Sequence, residues 1–400
     1  MTGPLPLEDA QARLLALAPP VRAEDVAIED SFGRVLAADL FAARSQPAAD
    51  LSAMDGYALA ADGGSVQWRV VGESRAGHPF ARTLGSGEAI RISTGALMPQ
   101  GADRVLLKED ALVDDGTVRC AQMPPAGSHV RRRGFDFEQD STVLSKGTVL
   151  GPAQIALALA AGHARCAVAA VPRVAVLDSG DELVRDPAAC GPGQVPASNG
   201  AMLAAQLAPL GVRAIRLGPV ADTLEALAAA LEEAEDADIL VTSGGASVGD
   251  HDLVRQALAD RGAAIAFWKV AIKPGKPLLV ATRARGDAPP QVVIGLPGNP
   301  VSSFVTAFLF VLPLVRAAMG ATASLPRPVA MRAGEDLPAA GARRTFLRAV
   351  HDGRVVREAG SQDSSALTAL AAANCLIDRS AGAAPLRAGE EVMVFPLHGA

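Results

Sequence analysis

Short apolar runs alternate with stretches of helical periodicity from residue 172 onward. The apolar runs that predict β-strands are PRVAVLD, VRAIRLG, ADILVTS, PLLVA and QVVIGL. The stretches that predict helices are AMLAAQLAPL, TLEALAAALEEA and SSFVTAFLFVLPLV. Alternation of strands and helices is typical of parallel βαβ units, in which helices cover both faces of the sheet. The pattern therefore predicts a doubly wound α/β domain.

The chain on either side of this region has a different pattern. Residues 5–18 predict an amphipathic helix, with apolar positions at Leu7, Leu14, Leu15 and Leu17. From about residue 45 to 150, short β-like pieces are separated by Gly, Pro and Asp, which predicts a loop-rich β module. Helical periodicity returns in GPAQIALALAAGHA. After a proline-rich linker near 325–328, residues 329–400 predict a second, smaller β module.

The length and composition fit this multidomain interpretation. A chain of 400 residues favours two to four domains. The longest apolar run, at 304–315, is shorter than the roughly 18 residues that a membrane span needs, so we expect a buried helix. The first residues lack the basic start and apolar core of a signal peptide. We therefore expect a soluble, cytoplasmic protein.

Cysteines and net charge argue against several classes of function. Cys120, Cys166, Cys190 and Cys375 are scattered without a C-x-x-C spacing, which disfavours a zinc site or a disulfide framework. The formal net charge of −6 disfavours nucleic acid as the main partner. A small anion in a locally positive cleft remains compatible with that charge.

Unusual polar sequences follow the predicted strands. PRVAVLD continues into SGDEL, ADILVTS into GGASVGDHD, and QVVIGL into the turn PGNPVS, while WKVAIKPGKP places Lys269, Lys273 and Lys276 before another strand. Ligands of open α/β sheets bind beyond the carboxyl ends of the strands. Glycine N–H groups suit an anion, carboxylates suit a divalent cation, and lysines suit a second anion. Each motif alone is usually an ordinary turn or a solvated charge, but four at one sheet edge predict a crevice.

The first β module contributes further candidates. Asp55 lies in SAMDGYALA, Thr94 in ISTGALMP, and Arg131 and Asp136 in VRRRGFDF. Each also has a plain structural interpretation. Asp55 could cap a turn, and the three consecutive arginines could form a solvated basic patch.

Taken in order, these motifs resemble the molybdopterin molybdenumtransferase family (MoeA and the gephyrin E domain). The resemblance runs from SAMDGYA through SGDEL, SNG and SGGASVGDHD to GLPGNPVSSF and ALTALAAANCLI, which is nearly the whole chain. It implies insertion of molybdate into adenylylated molybdopterin with release of AMP and a requirement for Mg²⁺. It also implies a homodimer of four-domain subunits, with active sites at the subunit interface. The implied division is a linking segment (1–44 with 139–171), a β-rich module (45–138), an α/β domain like molybdopterin adenylyltransferases (172–322) and a small β-barrel-like domain (326–400).

The resemblance also implies site residues. The implied catalytic residues are Asp55, Thr94, Arg131, Asp136, Glu182, Asp222, Asp252, Lys269, Lys273 and Lys276, and Glu182, Asp222 and Asp252 are the implied Mg²⁺ ligands. The implied substrate-binding residues are Ser243, Gly244, Gly245, Ser247, Pro297, Asn299, Pro300, Ser302, Arg343, Arg348, Ser364 and Ser365. The match leaves open which arginine and which serine of the last two pairs reaches the bound oxyanion.

This chain departs from the family pattern in two places. Phe135 stands where the family often has an acidic residue, and Pro196 and Ala197 replace polar residues before the Ser-Asn pair. No Ser-His-Asp or Cys-His arrangement is apparent, so we expect no covalent catalysis. Two alternatives stay open: a molybdopterin adenylyltransferase of the same α/β fold, and a non-enzymatic scaffold.

Overall fold

The first 170 residues pair distant parts of the chain with each other. The computed structural model describes residues 3–60, 65–244 and 253–397. The elements of this region are α1 (Leu7–Leu15), β1 (Ala23–Ala27), a 3₁₀ turn (Ile28–Asp30), β2 (Leu40–Phe41), β3 (Leu51–Ser52), β4 (Gly56–Ala60), β5 (Gln67–Ser74), β6 (Glu88–Ile92), β7 (Ala102–Leu107), β8 (Leu112–Asp114), β9 (Thr117–Arg119), β10 (Val130–Arg131), β11 (Thr142–Leu144), α2 (Pro152–Ala160) and β12 (Arg165–Ala169). β1 pairs with β12, and β2 pairs with β11. A six-stranded sheet of order β7-β4-β6-β5-β9-β8 therefore lies, in sequence, between two halves of one segment.

The central region forms a second six-stranded sheet. Its elements are β13 (Val174–Ser179), β14 (Leu183–Val184), a 3₁₀ turn (Pro187–Ala189), β15 (Val195–Pro196), α3 (Asn199–Leu207), a 3₁₀ turn (Ala208–Leu210), β16 (Ile215–Val220), α4 (Leu224–Glu233), β17 (Ile239–Ser243), α5 (Leu253–Asp260), β18 (Ala264–Trp268), β19 (Ile272–Lys273), β20 (Leu279–Arg285) and β21 (Ala288–Leu296). The strand order is β16-β13-β17-β21-β20-β18. Separate apolar clusters cover its two faces, one of which packs against α4 and α5. The predicted α/β architecture is confirmed.

One detail of the strand prediction is wrong. The alternation predicted parallel strands, but PLLVA and QVVIGL form β20 and β21, which pair in antiparallel register. Only Gly286 and Asp287 separate the two strands. A connection that short permits a hairpin, whereas a parallel pair needs a crossover of a dozen or more residues.

The apolar run at 304–315 is a core helix. The helical stretch extends over α6 (Pro300–Thr306), a π-helical turn (Ala307–Val311) and α7 (Leu312–Ala318). Its length and its mean hydropathy of 1.9 would suit a membrane span, but 83% of its most apolar window is buried inside the protein. The helix packs in the same apolar cluster as α1 and α3. Its apolar composition is therefore accounted for by core packing.

The last region closes into a small barrel. Its elements are β22 (Val329–Ala333), β23 (Arg344–His351), β24 (Val355–Glu358), α8 (Leu367–Ala372), β25 (Cys375–Arg379) and β26 (Glu391–Pro396). The order β23-β24-β22-β26-β25 returns to β23 through the pairing of β25 with β23. Closure removes the exposed strand edges that an open sheet of this size would present. The β module predicted for this region is confirmed as a barrel.

A buried carboxylate marks the end of β13. Asp178 is only 3% exposed, and its Oδ2 accepts a hydrogen bond from the Gly200 N–H at 3.1 Å. A Cβ at Gly200 would lie 2.2 Å from that oxygen, so only glycine fits there. Burial raises the pKa of Asp178 to about 6 from an ordinary value of 3.8. The folded protein therefore holds this proton more tightly than the unfolded chain does.

We predict that Asp178→Asn changes the pH dependence of stability. In the unaltered chain the raised pKa makes the free energy of unfolding fall as pH rises from 3.8 to about 6, a loss on the order of 3 kcal/mol. Asn keeps an acceptor for Gly200 and carries no charge, so the variant should lack this fall and be more stable at pH 7.5. Urea unfolding of both proteins between pH 4 and pH 8 measures the difference. Parallel stability curves would show that Asp178 ionises without cost.

Candidate functional site

Three strand ends meet at one edge of the central sheet. Asp178 of β13 is in register with Ser243 of β17, which is in register with Leu296 of β21. The segments SGDEL, SGG and PGNP therefore leave the sheet side by side. We call the region at these three turns the crevice, and this edge of the sheet the crevice edge. Gly244 has φ 101°, and a Cβ there would lie 2.9 Å from the Ser179 carbonyl oxygen, so this turn requires glycine. The Gly244 N–H donates to the Leu296 carbonyl at 3.2 Å and is thus used within the fold.

Asn199 joins two of these turns and was not among the predicted site residues. Its Nδ2 donates to Ser243 Oγ at 2.9 Å and to the Gly298 carbonyl at 2.7 Å. Asn199 is the first residue of α3, which begins shortly after β15. Its place in the SNG segment was a sequence signal, but its two partners are 44 and 99 residues away in the chain. Only the folded sheet shows that it connects them.

An acidic cluster lies beside these turns. Burial raises the pKa of the Asp222 carboxyl group, and the negative charges of Asp181 and Glu182 raise it further. Its backbone N–H donates to Asp181 Oδ1 at 3.0 Å. Gly180 leaves room for Glu182, because a Cβ at Gly180 would lie 2.6 Å from a Glu182 carboxylate oxygen. The structure thus brings two of the three predicted metal ligands, Glu182 and Asp222, into one cluster.

Three predicted residues cannot be placed. Gly245, Ser247 and Asp252 lie outside the described residues. Among the residues that the structure does describe, no group of three or more His, Cys, Asp or Glu side chains is arranged to hold a metal ion. Any complete ligand set at this edge would therefore include a residue beyond the described ranges, a ligand from another chain, or water.

A basic cleft of about 380 Å³ lies between the α/β domain and the barrel. Four cations and one carboxylate line it, together with three hydroxyl groups: Lys273, Lys276, Arg343, Arg348, Asp363, Ser302, Thr345 and Ser364. β19 and β23 pair in parallel, with Lys273 opposite Thr345, and this pairing brings the lysine segment to the barrel. No carboxylate pairs with Lys273 or Lys276 among the described residues. The cleft therefore concentrates positive charge and hydroxyl groups around a small volume.

The structure distinguishes the two serines that the sequence left open. Ser364 lines the basic cleft, accepts a hydrogen bond from Asn299 Nδ2 at 3.0 Å, and its carbonyl accepts from the Val301 N–H at 3.2 Å. The Ser365 hydroxyl instead donates to its neighbour Asp363 at 2.6 Å and helps to lower the pKa of that carboxyl group. Ser364 is therefore the serine that joins the PGNP turn to the cleft.

The two arginines also differ. Arg348 is 1% exposed, and its Nη2 donates to the carbonyls of Ser361 and Asp363 at 2.6 Å and 3.1 Å. Burial lowers the pKa of this guanidinium group. The Arg343 side chain has one described hydrogen bond, from Nη1 to the Ile272 carbonyl at 3.3 Å. Both arginines line the cleft; Arg348 uses its Nη2 to shape the loop that carries Ser364, although its Nε has no described partner, and Arg343 has more donors without a described partner.

The remaining crevice candidates occupy separate places. Lys269 does not line the basic cleft; its Nζ lies 4.3 Å from the ring centroid of Trp268. Pro297 is buried at the end of β21, and Pro300 opens α6. The lysines of KVAIKPGKP therefore do not form a single cluster.

The first β module holds its candidates apart from the crevice. Asp55 Oδ1 accepts hydrogen bonds from the Thr94 N–H at 2.7 Å and from Thr94 Oγ1 at 2.9 Å, which lowers the pKa of the Asp55 carboxyl group. Arg131 and Asp136 are exposed in the same module, where Arg131 of β10 lies opposite Leu51 of β3 and Arg132 forms an ion pair with Asp50 at 2.6 Å. Within the described residues, no hydrogen bond or ion pair connects Asp55, Thr94, Arg131 or Asp136 to the crevice. One chain therefore presents two separate groups of candidates.

Comparison with known proteins covers almost the whole chain. Residues 5–162 match the MoeA N-terminal region (domain I and II), residues 175–317 a probable molybdopterin binding domain, and residues 330–397 the MoeA C-terminal region (domain IV). A molybdopterin molybdenumtransferase from Nostoc sp. is 36% identical over 91% of this chain and 86% of the relative. One from Haemophilus influenzae is 33% identical over 98% and 99%.

Solved structures agree with the sequence matches. The molybdopterin biosynthesis MoeA protein of Pyrococcus horikosii is 30% identical, with a TM-score of 0.82 over 100% of both chains. A second MoeA structure, from Pyrococcus horikoshii OT3, is 25% identical with a TM-score of 0.85, over 98% of this chain and 100% of that one. The chain therefore belongs to the MoeA family, whose relatives named above are molybdopterin molybdenumtransferases.

Proposed function

We propose that this protein acts in molybdenum cofactor biosynthesis, inserting molybdate into adenylylated molybdopterin with release of AMP. The observation that carries the proposal is the contact between the basic cleft and the crevice edge. Asn299 of the PGNP turn donates to Ser364 of the cleft, and Asn199 joins the same turn to Ser243. A site for an oxyanion and a site for a phosphorylated substrate thus share one turn. The family membership supports this assignment.

The basic cleft suits molybdate, which is a tetrahedral dianion. Lys273, Lys276 and Arg343 supply positive charge, and Ser302 and Ser364 supply hydroxyl groups. Each cation about 4 Å from the dianion contributes roughly 4 kcal/mol per unit charge at an effective dielectric constant near 20. Attraction of this size offsets the repulsion between molybdate and the phosphates of an anionic substrate.

The acidic cluster suits Mg²⁺. Glu182 and Asp222, with Asp252 as a further ligand, are the residues that would hold the ion. The raised pKa of Asp222 fits this role, because a cation would relieve the repulsion from Asp181 and Glu182. When bound, Mg²⁺ would neutralise charge that develops on phosphate oxygens. It usually binds one or two carboxylates and retains water, so an incomplete protein ligand set is ordinary for it.

The protein's own groups orient the substrate. Asn199 donates to Ser243 Oγ, which leaves the Ser243 hydroxyl hydrogen to donate to a phosphate oxygen. Placing the oxyanion and the phosphorylated pterin in adjacent sites converts an encounter of two anions into a reaction within one complex. Preorganised donors around the leaving phosphate stabilise its developing charge.

We also infer a homodimer in the cytoplasm, with the first β module completing a site on the partner subunit. Supporting this, Asp55, Thr94, Arg131 and Asp136 form no bond with the crevice of their own chain among the described residues. The division of the chain into a linking segment, a β-rich module, an α/β domain and a barrel domain fits such an exchange. A molybdopterin adenylyltransferase remains the alternative enzyme, and it would produce adenylylated molybdopterin from molybdopterin and ATP. We expect no such product. A pure scaffold would release no AMP.

We predict that Lys276→Ala and Arg343→Ala weaken molybdate use. The molybdate concentration for half-maximal insertion should rise about tenfold or more, because one of few cations around a dianion is lost. Excess molybdate should restore most of the rate. Arg327→Ala, on the linker before the barrel, serves as the control that removes a charge elsewhere. An unchanged half-saturation with a uniformly lower maximal rate would contradict the assignment of the cleft.

We predict that Asp222→Asn reduces Mg²⁺-dependent AMP release by about 10²-fold, the effect of losing one preorganised electrostatic group. The Mg²⁺ concentration for half-maximal rate should rise, while the molybdate half-saturation should change little. Asp236→Asn removes a charge from the far end of the sheet and is the matched control. A variant that retains the activity and metal dependence of the parent would place the metal elsewhere.

We predict that subunits carrying Asp55→Ala and Asp222→Asn complement each other. If one subunit's β module serves the partner's crevice, half of a random mixture is heterodimer, and each heterodimer has one intact site. Activity should then recover to about a quarter of the level of the unaltered protein. Each variant refolded alone provides the baseline. No recovery above that baseline, or a monomer by sedimentation, would overturn the shared site.

A further inference from the structure

Trp268 contacts two cationic side chains. Lys269 Nζ lies 4.3 Å from the centroid of its ring, and Arg255 Cζ lies 5.0 Å from the same centroid. Cations within about 6 Å of an indole face are attracted by the ring quadrupole. The ring therefore contacts two cationic side chains at once.

This cluster lies at the same edge of the sheet as the turns of the crevice. Trp268 ends β18 and is in register with Leu279, which is in register with Gly295, which is in register with Thr242. β18 is antiparallel to β20, and β20 is antiparallel to β21, so β18 ends at the same side as β21 and β17. Trp268 packs against the apolar cluster of α4 and α5, and Arg255 belongs to α5. The cluster thus lies on the α5 side of the crevice edge.

The backbone of Lys269 has an unusual conformation and is bonded on both sides. Its φ of 77° is a left-handed conformation that is uncommon for lysine. Its N–H donates to the Leu278 carbonyl at 3.1 Å, and its carbonyl accepts from the Leu5 N–H at 3.1 Å, so both backbone groups are bonded. No carboxylate of the described residues forms an ion pair with Lys269. The strained backbone is therefore retained where it places an ammonium group over Trp268.

We propose that Trp268 is a positioning residue that holds Lys269 and Arg255 for the phosphate groups of the substrate, while Lys273, Lys276 and Arg343 serve the oxyanion. The inference rests on the proposed function. The Lys269 ammonium group, which forms no ion pair with a carboxylate of the described residues, would attract a phosphate that binds beside the ring. The separation also keeps molybdate and phosphate from competing for the same cations. Trp268 would thereby keep Lys269 beside the phosphate groups, while Lys273 and Lys276 bind molybdate.

Calorimetry with AMP, inorganic pyrophosphate and molybdate on the full chain with Mg²⁺ tests this directly. We expect Trp268→Leu, which keeps apolar packing against α4 and α5, and Lys269→Met to weaken AMP and pyrophosphate binding about tenfold. Trp268→Phe should regain most of the affinity, because it restores an aromatic face. Molybdate half-saturation in these variants should stay within twofold of the parent. Lys276→Met should show the opposite pattern.

Adenosine serves as the control ligand because it lacks phosphate. Equal losses for adenosine and AMP would show that Trp268 stacks on the base, and would overturn the proposal. AMP affinity unchanged in Trp268→Leu and Lys269→Met would overturn it as well, as would failure of the parent chain to bind AMP or pyrophosphate at millimolar concentration. The insertion assay on the parent chain decides the proposed function separately, so the two ideas can fail independently.

Discussion

The short parallel pairing of β19 with β23 is the contact on which the site depends. Ile272 lies opposite Arg344 and Lys273 opposite Thr345, and this pairing joins the α/β domain to the barrel. Without it, Lys273 and Lys276 would belong to an exposed loop of one domain, and Arg343 and Ser364 to another. Because hydrogen bonds between strands fix register, the pairing sets which side chains line the basic cleft.

Side chains on both sides of this pairing hold it in place. Arg344 donates to Asp378 through Nε at 2.8 Å and Nη2 at 2.6 Å, and also to Glu8 of α1. These carboxylates raise the pKa of the Arg344 guanidinium group, and its Cζ lies 5.7 Å from the Phe346 ring centroid. An arginine engaged in this way stabilises the junction and has no role left at the cleft. The neighbouring Arg343 instead lines the cleft, as does Arg348.

The site keeps its positively charged side chains apart from its carboxylates. Positive groups collect in the basic cleft and around Trp268, while carboxylates collect at Asp181, Glu182 and Asp222. The sheet edge spaces these groups, since each is attached to a different strand end. A chemistry that joins two anionic reactants needs such an arrangement, because each reactant requires its own counter-charges before they can approach.

The sequence by itself determined the α/β pattern, the two flanking β modules, and the motifs that show the family. These follow from local periodicity and from glycine-containing motifs; the fold then shows why some of these glycines are required, as at Gly200, where a Cβ would clash with Asp178. The hairpin of β20 and β21, the bridging role of Asn199, and the choice of Ser364 over Ser365 required the tertiary structure. So did the separation of Lys269 from Lys273, although the two are four residues apart. Spacing along the chain shows which residues share a segment, whereas β pairing between segments far apart in the chain, such as β19 with β23, decides which side chains meet at one cleft.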